Sequence, residues 1–383
     1  MFEYALRGNR QYWVWLAILG GFIGVGFLCY LLQFNQGLGI TGMSRDVTWG
    51  FYIAQFTFLV GVAASAVMVV LPCYLHNYKA FGKIAILGEF IAIASVTMCI
   101  LFIMVDLGQP MRGVNIILHP SPTSLMFWDM IVLNGYLFLN LIISWVTLES
   151  ERRAVAPPKW IKPVIYLSIP WAVSIHTVTA FLYSGLSARS FWMTAVLAPR
   201  FLASAFAAGP ALLIIICLIL RKLTKFDPGK EPIQTLAKIV AYAMAANFFF
   251  VLMEVFTAFY SAMPEHTVHF KYLFGGVEGA SALTLWMWFS VMIGSISLIL
   301  LIYPRTRIDE TVLSISCVGV FISLWIDKGL AMVVAGFIPS PLGSFTEYAP
   351  TLPELLISLG IYAIGMFIVT ALYKITLTVR KEI

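Results

Sequence analysis

Residues 102–140 read FIMVDLGQPMRGVNIILHPSPTSLMFWDMIVLNGYLFLN and contain two apolar runs separated by a polar, proline-containing stretch. The runs are continuously apolar rather than alternating, which is typical of helices in hydrocarbon. Asp106 ends the first run, and Asp129 lies just inside the second. The segment therefore predicts two membrane-spanning helices joined by a short loop, with one carboxylate near each end of that loop.

The whole chain resembles this segment in composition. Of its 383 residues, 61% are hydrophobic and 11% are charged, whereas a soluble domain carries about 25% charged residues. A helix of about 20 apolar residues spans the bilayer core. The sequence predicts an all-α polytopic membrane protein with ten transmembrane helices, at 13–33, 52–75, 84–106, 125–147, 164–186, 200–221, 237–260, 283–303, 311–335 and 354–378.

The basic residues predict the orientation of the chain. Of the 24 Lys and Arg residues, eighteen fall on one side if both termini are cytoplasmic, and Lys328 falls inside a span. The five on the other side are Arg45, Arg112, Arg189, Arg200 and Lys271. This distribution follows the positive-inside rule. We therefore expect a multi-pass protein of the cytoplasmic membrane with both termini cytoplasmic, whose net charge of +6 reflects topology and contact with anionic lipid rather than nucleic-acid binding.

The cysteine and histidine patterns argue against a prosthetic group in this chain. The five cysteines are far apart and form no C-x-x-C or C-x-x-C-H motif: Cys29, Cys73, Cys99, Cys217 and Cys317. Such motifs hold iron–sulfur clusters, zinc or c-type haem. Of the five histidines, only His176 lies deep in a predicted span, so no pair is placed to ligate a haem b. We expect no haem, iron–sulfur cluster or metal in this chain.

Ionisable residues inside spans are costly and are functional by default. The candidates are Glu89, Asp106, Asp129, His176, Glu254 and the pair Asp327–Lys328. Each also has a structural interpretation: Glu254 and His176 as hydrogen-bonded packing residues, and Asp327 and Lys328 as neighbours that point to different sides of their helix and pair with other helices. Glu89, His176 and Glu254 form either a proton route or three isolated polar groups.

Asp129 has the most suggestive surroundings, because Trp128, Asn134 and Tyr136 lie near it on the same predicted helix. Asp106 enters from the preceding helix, which a short loop makes an antiparallel neighbour. Two carboxylates in one low-dielectric pocket are suited to holding a proton. Such a pocket fits a quinol, whose oxidation at a polar ring requires hydrogen-bonding groups, a base and an aromatic wall.

Two features suggest internal organisation. Small-residue runs occur at 61–66 (GVAASA) and 204–209 (SAFAAG), and such runs allow membrane helices to approach closely. They indicate either two packed four-helix bundles, helices 2–5 and 6–9 with helices 1 and 10 peripheral, or ordinary packing. Pro170 and Pro210 are expected to interrupt helices, a feature that a secondary transporter would also have.

Three stretches carry a family resemblance: DVTWGFYIAQFTFLVGVAASAVMV (46–69), GEFIAIASVTMCILFIMVDLGQP (88–110) and HPSPTSLMFWDMIVLNGYLFLN (119–140). They resemble the NrfD/PsrC family of quinone-interacting membrane subunits, and most closely its DsrP/HmcC branch. SARSFWMTAVLAPRFLASAFAAGPAL (187–212) resembles the matching stretch of the second bundle. The resemblance covers essentially the whole chain.

The resemblance implies ten helices in two four-helix bundles, no prosthetic group, and a menaquinone site near the outer face. It also implies four partners: a ferredoxin-like iron–sulfur subunit, a multihaem cytochrome c, a haem-b membrane subunit and a heterodisulfide-reductase-like subunit. Asp106 and Asp129 are the best matches to the pocket of the family.

The sequence thus predicts a menaquinol/menaquinone-interacting subunit of a respiratory electron-transfer complex linked to sulfur metabolism, active only within that complex. Asp129 and Asp106 are the expected proton acceptors, and Trp128, Asn134, Tyr136 and His176 the expected quinone-binding residues. The quinone site is expected in the bundle at 49–186, followed by a second bundle at 200–335 and the last loop and helix at 336–383. The alternatives are a secondary transporter and a membrane anchor without a quinone site.

Overall fold

The computed structural model describes residues 2–382, and in this part of the chain ten helices are long and apolar enough to cross a membrane. We number them α1 to α10: Arg10–Gln36, Phe51–Leu75, Lys79–Asp106, Leu125–Arg152, Ile161–Ser184, Leu197–Leu223, Lys230–Tyr260, Thr284–Ile302, Glu310–Ala335 and Leu352–Arg380. The ten predicted spans are confirmed. Most helices are longer than the predicted spans. The predicted spans stop where the apolar residues stop, whereas the helices continue into polar residues, as at Lys230 of α7.

The helix directions alternate, so one face of the protein carries the connections 37–50, 107–124, 185–196, 261–283 and 336–351. We call this the loop face and the opposite one the termini face. The predicted loop at 261–282 contains a helix, Pro264–Gly275, which the sequence interpretation missed. This helix is too short to span a bilayer and carries polar residues in its first turns.

Two helices are irregular where the site lies. Helix α2 consists of Phe51–Val62 and Ser65–Leu75, with a turn at Ala63 and Ala64 between them. Helix α9 contains a π-helical turn at Trp325–Ala331, a feature frequently found at functional sites.

The expectation that Pro170 and Pro210 interrupt helices is wrong. Both residues lie inside continuous helices, α5 and α6. A proline removes one N–H donor from a helix, but a membrane helix surrounded by others tolerates this loss because neighbouring groups compensate.

Helix α2 contacts helices from both halves of the chain. It packs against α3 and α5, and also against α6 and the π turn of α9. Further contacts join α3 to α4 and α4 to α5, and others connect α6, α7, α8 and α9 in a ring. Helix α1 packs mainly on α10, which contacts α3. The division into two four-helix bundles stays a prediction.

The two small-residue runs meet at the contact between α2 and α6. A Cβ atom at Gly209 would lie 2.6 Å from the backbone nitrogen of Ser65 and 3.0 Å from the Val62 carbonyl oxygen. A Cβ at Gly61 would lie 3.5 Å from the Ala205 Cα. Only glycine permits the approach at 209, so these runs join the two halves of the chain.

Candidate functional site

The candidate site surrounds the part of α2 nearest the loop face. Successive residues of an α-helix are rotated by about 100°, so residues two positions apart face nearly opposite sides. Gln55 and Thr57 are such a pair, and both are fully buried. Thr57 faces α5, where it is hydrogen-bonded to Tyr183, and Gln55 faces α9 and α10.

Asp129 lies on the α5 side of this region and is 4% exposed. Its Oδ1 accepts a 2.8 Å hydrogen bond from the Thr179 hydroxyl, whose oxygen also lies 2.7 Å from the Ile175 carbonyl oxygen. A threonine hydroxyl carries one hydrogen and can serve only one acceptor fully. A proton on Asp129 would satisfy all three groups, so this geometry suits a carboxyl group that gains and loses a proton.

An aromatic cluster lies between this carboxylate and the loop face. The ring of Tyr183 is 5.4 Å from that of Trp49 and 5.0 Å from that of Trp192. Phe337 completes the cluster, 5.8 Å from Trp49 and 5.2 Å from Trp192. The indole of Trp192 donates to the Met332 carbonyl at 2.9 Å. Trp49, Tyr183, Trp192 and Phe337 therefore form one contiguous set of aromatic rings at this end of the protein.

The structure places Asp106 next to α10. Asp106 and Asp129 both lie within electrostatic range of Tyr183. The charged neighbour of Asp106 is Glu354, which accepts hydrogen bonds from the Gly42 amide at 2.7 Å and the Tyr348 hydroxyl at 2.7 Å. Asp106 Oδ1 is buried without a partner among the described residues. Helices α3 and α4 are in contact as expected, but each carboxylate is turned toward a different third helix.

The other predicted ring-binding residues are dispersed. Trp128 is 44% exposed, and its indole donates to the Pro122 carbonyl at 2.8 Å. The Asn134 amide donates to the Met130 carbonyl of its own helix at 2.8 Å. Tyr136 is buried and donates to the Ala63 carbonyl at 3.4 Å, at the turn in α2. None of the three side chains is hydrogen-bonded to Asp129.

His176 lies one turn from Thr179 on α5 and is fully buried, and neither ring nitrogen has a partner within residues 2–382. It lies within electrostatic range of Lys328. A neutral imidazole has one donor and one acceptor, so this side chain retains two unused hydrogen-bonding positions in the interior.

A buried ion cluster joins α6, α7 and α9. The Arg200 guanidinium donates to Glu254 at 2.6 Å and to Asp327 at 2.7 Å. The neighbouring Lys328 donates to the Phe201 carbonyl at 3.3 Å and lies 4.3 Å from the centre of that ring. Asp327 and Lys328 therefore pair with another helix as expected. The expectation that they point to different sides is wrong, because both reach α6 from the π turn.

Glu89 stands apart from these groups, near the termini face. It is 4% exposed, and its Oε2 has no partner in the described part of the chain. It precedes Asp106 by seventeen residues on α3, which is ~25 Å of helix. Glu89, His176 and Glu254 are not connected by hydrogen bonds to one another.

A comparison with protein families identifies the chain. Residues 39–338 match the model of the family described as "Polysulphide reductase, NrfD". The chain belongs to the NrfD family. It is an integral membrane member with about ten apolar helices.

Three relatives share this family's membrane character. The chain is 24% identical over 400 residues to a putative membrane subunit of dimethyl sulfoxide reductase from Halobacterium salinarum, covering 93% of this chain and 89% of the relative. It is 25% identical over 300 residues to the Hdr-like menaquinol oxidoreductase integral membrane subunit of Archaeoglobus fulgidus, covering 78% and 73%. It is 21% identical over 387 residues to the menaquinone reductase integral membrane subunit of Nitratidesulfovibrio vulgaris, covering 95% and 91%.

Sequence reasoning missed several buried polar residues of this region. Arg200 was assigned to the outer side because it lies at the edge of an apolar run, yet it is 7% exposed. Gln55, Thr57, Thr179 and Tyr183 carry no charge and gave no signal. Among the described residues, no group of three His, Cys, Asp or Glu side chains is arranged to hold a metal ion.

Two surface clefts lie away from this region. One of about 390 Å³ is lined by Gly82, Lys83, Glu151, Val379, Arg380 and Glu382. The other, of about 510 Å³, is lined by Phe259, Phe270, Lys271, Phe274, Gly275, Gly276 and Val277. Neither of these two clefts includes Asp129 or Asp106.

Proposed function

We propose that this chain is the menaquinol- or menaquinone-reactive membrane subunit of a multi-subunit electron-transfer complex. Two relatives are named for menaquinol oxidoreductase and menaquinone reductase complexes. The observation that carries the proposal for this chain is the buried Asp129 carboxyl, whose partner Thr179 is shared with the Ile175 carbonyl. The arrangement provides a proton acceptor in apolar surroundings.

Quinol oxidation requires one set of groups that accepts the protons and another that accepts the electrons. Oxidation of a quinol to a quinone releases two protons and two electrons. In this proposal Asp129 takes one ring proton, and the Thr179 hydroxyl turns between the Ile175 carbonyl and the carboxyl group as that proton arrives or leaves. Asp106, with its unpartnered Oδ1, takes the second proton. The two electrons would pass one at a time to iron–sulfur centres held by a partner subunit, and reduction would run through the same groups in reverse.

The proposed ring lies near the aromatic cluster of Trp49, Tyr183 and Trp192. Trp128 at the lipid surface marks the entrance to the site, and Asn134, Tyr136 and His176 line its deeper side in the bundle formed by residues 49–186. Residues 200–335 form the second bundle, and 336–383 the last loop and helix. His176, Glu254 and Glu89 each have a buried atom without a partner, which supports a proton route through these three residues.

The loop face is proposed to be the outer face of the cytoplasmic membrane, with both termini cytoplasmic. An iron–sulfur ferredoxin-like subunit docks there. The DsrP branch, the link to sulfur metabolism, and the multihaem cytochrome c, haem-b and heterodisulfide-reductase-like partners belong to the same proposal. They are supported by the sequence resemblance to that branch.

The test is the Asp129→Asn variant in the assembled complex, paired with Thr179→Val. We expect Asp129→Asn to lower quinol-dependent reduction of the partner's centre by about a hundredfold or more, because a positioned proton acceptor contributes about 10²–10⁴-fold. Thr179→Val should lower the same rate by a smaller factor. Chemical reduction of that centre, which bypasses the quinol, stays unchanged. Thr177→Val is the matched control, because Thr177 lies on the same helix and bonds only its own Val173 carbonyl.

The same experiment separates this proposal from a membrane anchor without a quinone site. An anchor predicts that quinol-dependent reduction and quinone affinity are equal in Asp129→Asn, Thr179→Val and the wild type. That result would exclude the proposed role of Asp129.

A further inference from the structure

Gln55 is held in one orientation by its partners. Its Oε1 accepts from the Trp325 indole at 2.7 Å and from the Tyr362 hydroxyl at 2.7 Å. An indole nitrogen can only donate, so the amide oxygen must face Trp325 and the amide nitrogen must face away. The two contacts therefore fix which end of the side chain is free.

The free end is a pair of donors without an acceptor. Gln55 is fully buried, and its Nε2 has no hydrogen-bond partner among residues 2–382. Leaving a buried polar group without a partner carries a free-energy cost. An acceptor brought to this position from outside the chain would remove that cost.

The surroundings of the amide are aromatic, and the two side chains that contact it are partly exposed at the protein surface. Trp325 and Tyr362 are both half-buried, on α9 and α10. Phe51 packs edge-on against Trp325 at 6.4 Å, and Phe102 against Tyr362 at 5.7 Å. A flat, uncharged ring entering between α9 and α10 would meet aromatic faces and then the amide donors.

The hydrogen-bonding groups that Gln55 leaves free decide which kind of ligand atom can bind there. The amide oxygen already accepts two hydrogen bonds, so the free amide supplies only N–H donors. A carbonyl oxygen fits such a position, whereas a ring hydroxyl would need an acceptor for its hydrogen. The position is also on the side of α2 opposite Thr57 and Tyr183, and so away from the Asp129 region.

We propose that Gln55, Trp325 and Tyr362 form a second site, which binds a ring carbonyl of an oxidised quinone from the lipid phase. The substrate class rests on the proposed function. The site binds the ring without transferring protons, since no charged side chain of the described residues is hydrogen-bonded to Gln55. It would hold oxidised quinone near the complex while Asp129 serves the reacting ring.

The test uses a photoreactive short-chain azido-naphthoquinone on the purified complex, followed by mapping of the labelled peptides. In the wild type we expect two labelled regions, one around Asp129 and Thr179 and one around Trp325 and Tyr362. Gln55→Met keeps the length of the side chain but removes the amide, and it should lower labelling around Trp325 and Tyr362 at least tenfold. Labelling around Asp129 should remain within twofold.

Two further variants keep the test decisive. Trp325→Phe keeps Gln55 but removes the donor that orients it, and it should lower labelling of the α9 and α10 peptides severalfold if Gln55→Met fails to assemble. Gln33→Met is the matched control, because that buried glutamine has partners for both amide atoms, Tyr52 and the Val105 carbonyl. Its labelling pattern should equal that of the wild type.

The outcomes separate the two proposals. Absence of label around Trp325 and Tyr362, or unchanged label there in both Gln55→Met and Trp325→Phe, overturns the second site and leaves water as the partner of the amide. Label in that region without label around Asp129 supports the second site and counts against the proposed function. If Asp129→Asn lowers the labelling of both regions to the same extent, the two regions belong to one site. That result would also overturn the proposal.

Discussion

Arg200 of α6 donates a 2.7 Å hydrogen bond to Asp327 in the π turn of α9, and both side chains are buried. The other terminal nitrogen of the same guanidinium forms an ion pair with Glu254 of α7. One guanidinium therefore bridges two carboxylates from two helices. Arginine suits this position because its planar fork offers several donors at once.

The first prediction concerns Arg200→Lys. A lysine ammonium lacks the fork that bridges two carboxylates, so one buried acid loses its partner. Breaking a buried pair in this way costs about 3–5 kcal/mol. We expect a clearly lower thermal unfolding midpoint of the purified protein in detergent. Arg112→Lys, in an exposed connection, should leave the midpoint unchanged, and equal midpoints for both variants would contradict the role assigned to the cluster.

The second prediction concerns the contact between α1 and α10. A Cβ at Gly26 would lie 2.8 Å from the Gly360 Cα, whereas one at Gly24 would meet nothing within 4 Å. Gly26→Val should therefore separate the two helices at that point, and Gly24→Val should not. Engineered cysteine cross-linking between α1 and α10 measures the difference. Equal cross-linking yields in both variants would show that the close approach does not hold α1 in place.

The third prediction is a pH dependence at the loop face. His269 lies outside the membrane-spanning helices, with Nδ1 2.8 Å from the carbonyl oxygens of Ala335 and Ile338 and Nε2 3.2 Å from the Ser190 hydroxyl. Burial lowers the pKa of His269 to about 4, against the opposing effect of the two carbonyls.

The lowered pKa of His269 decides in which direction stability changes with pH. The unfolded chain binds the proton at about pH 6.5 and the folded chain only near pH 4, so stability is fully present above pH 6.5 and falls as the pH drops toward 4. The loss is about 1.4 kcal/mol per pH unit in that window. Limited proteolysis of the loop face at pH 7, 6 and 5 should show rising cleavage in the wild type.

Variants at two histidines check this assignment. His269→Asn keeps a donor near Nδ1 but does not titrate, so it should reduce the pH dependence of cleavage. His119→Gln changes an exposed histidine in another connection and should leave the dependence intact. A pH dependence that persists in His269→Asn would locate the titrating group elsewhere.

Sequence reasoning recovered the fold because hydropathy alone decides which segments can lie in hydrocarbon. The ten spans, the contact between α3 and α4 and the pairing of Asp327 with another helix all follow from local sequence. The predicted positions of the helix ends were less accurate, because residues such as Lys230 continue a helix beyond the apolar segment. The π turn at 325–331 has no sequence signature that distinguishes it from an α-helix.

The site was recovered less completely because it depends on which helices meet. The shared pocket of Asp129 and Asp106 stays a prediction, whereas the helices that supply their partners were not foreseen: α5 supplies the hydrogen-bond partner of Asp129 and α10 the charged neighbour of Asp106. Neither helix lies between Asp106 and Asp129 in the sequence. Uncharged residues such as Gln55 and Thr57 acquire significance only when their neighbours on other helices are known.

The burial of Arg200 also leaves the loop face without an excess of either charge. Its five connections carry four basic residues, Arg45, Arg112, Arg189 and Lys271, and four acidic ones, Asp46, Glu265, Glu278 and Glu347. Long-range attraction that guides association is strongest between surfaces of opposite net charge and is weakened by dissolved salt. A protein that docks on this face would gain little from such attraction, so raising ionic strength from about 50 to about 500 mM should slow its association less than about threefold.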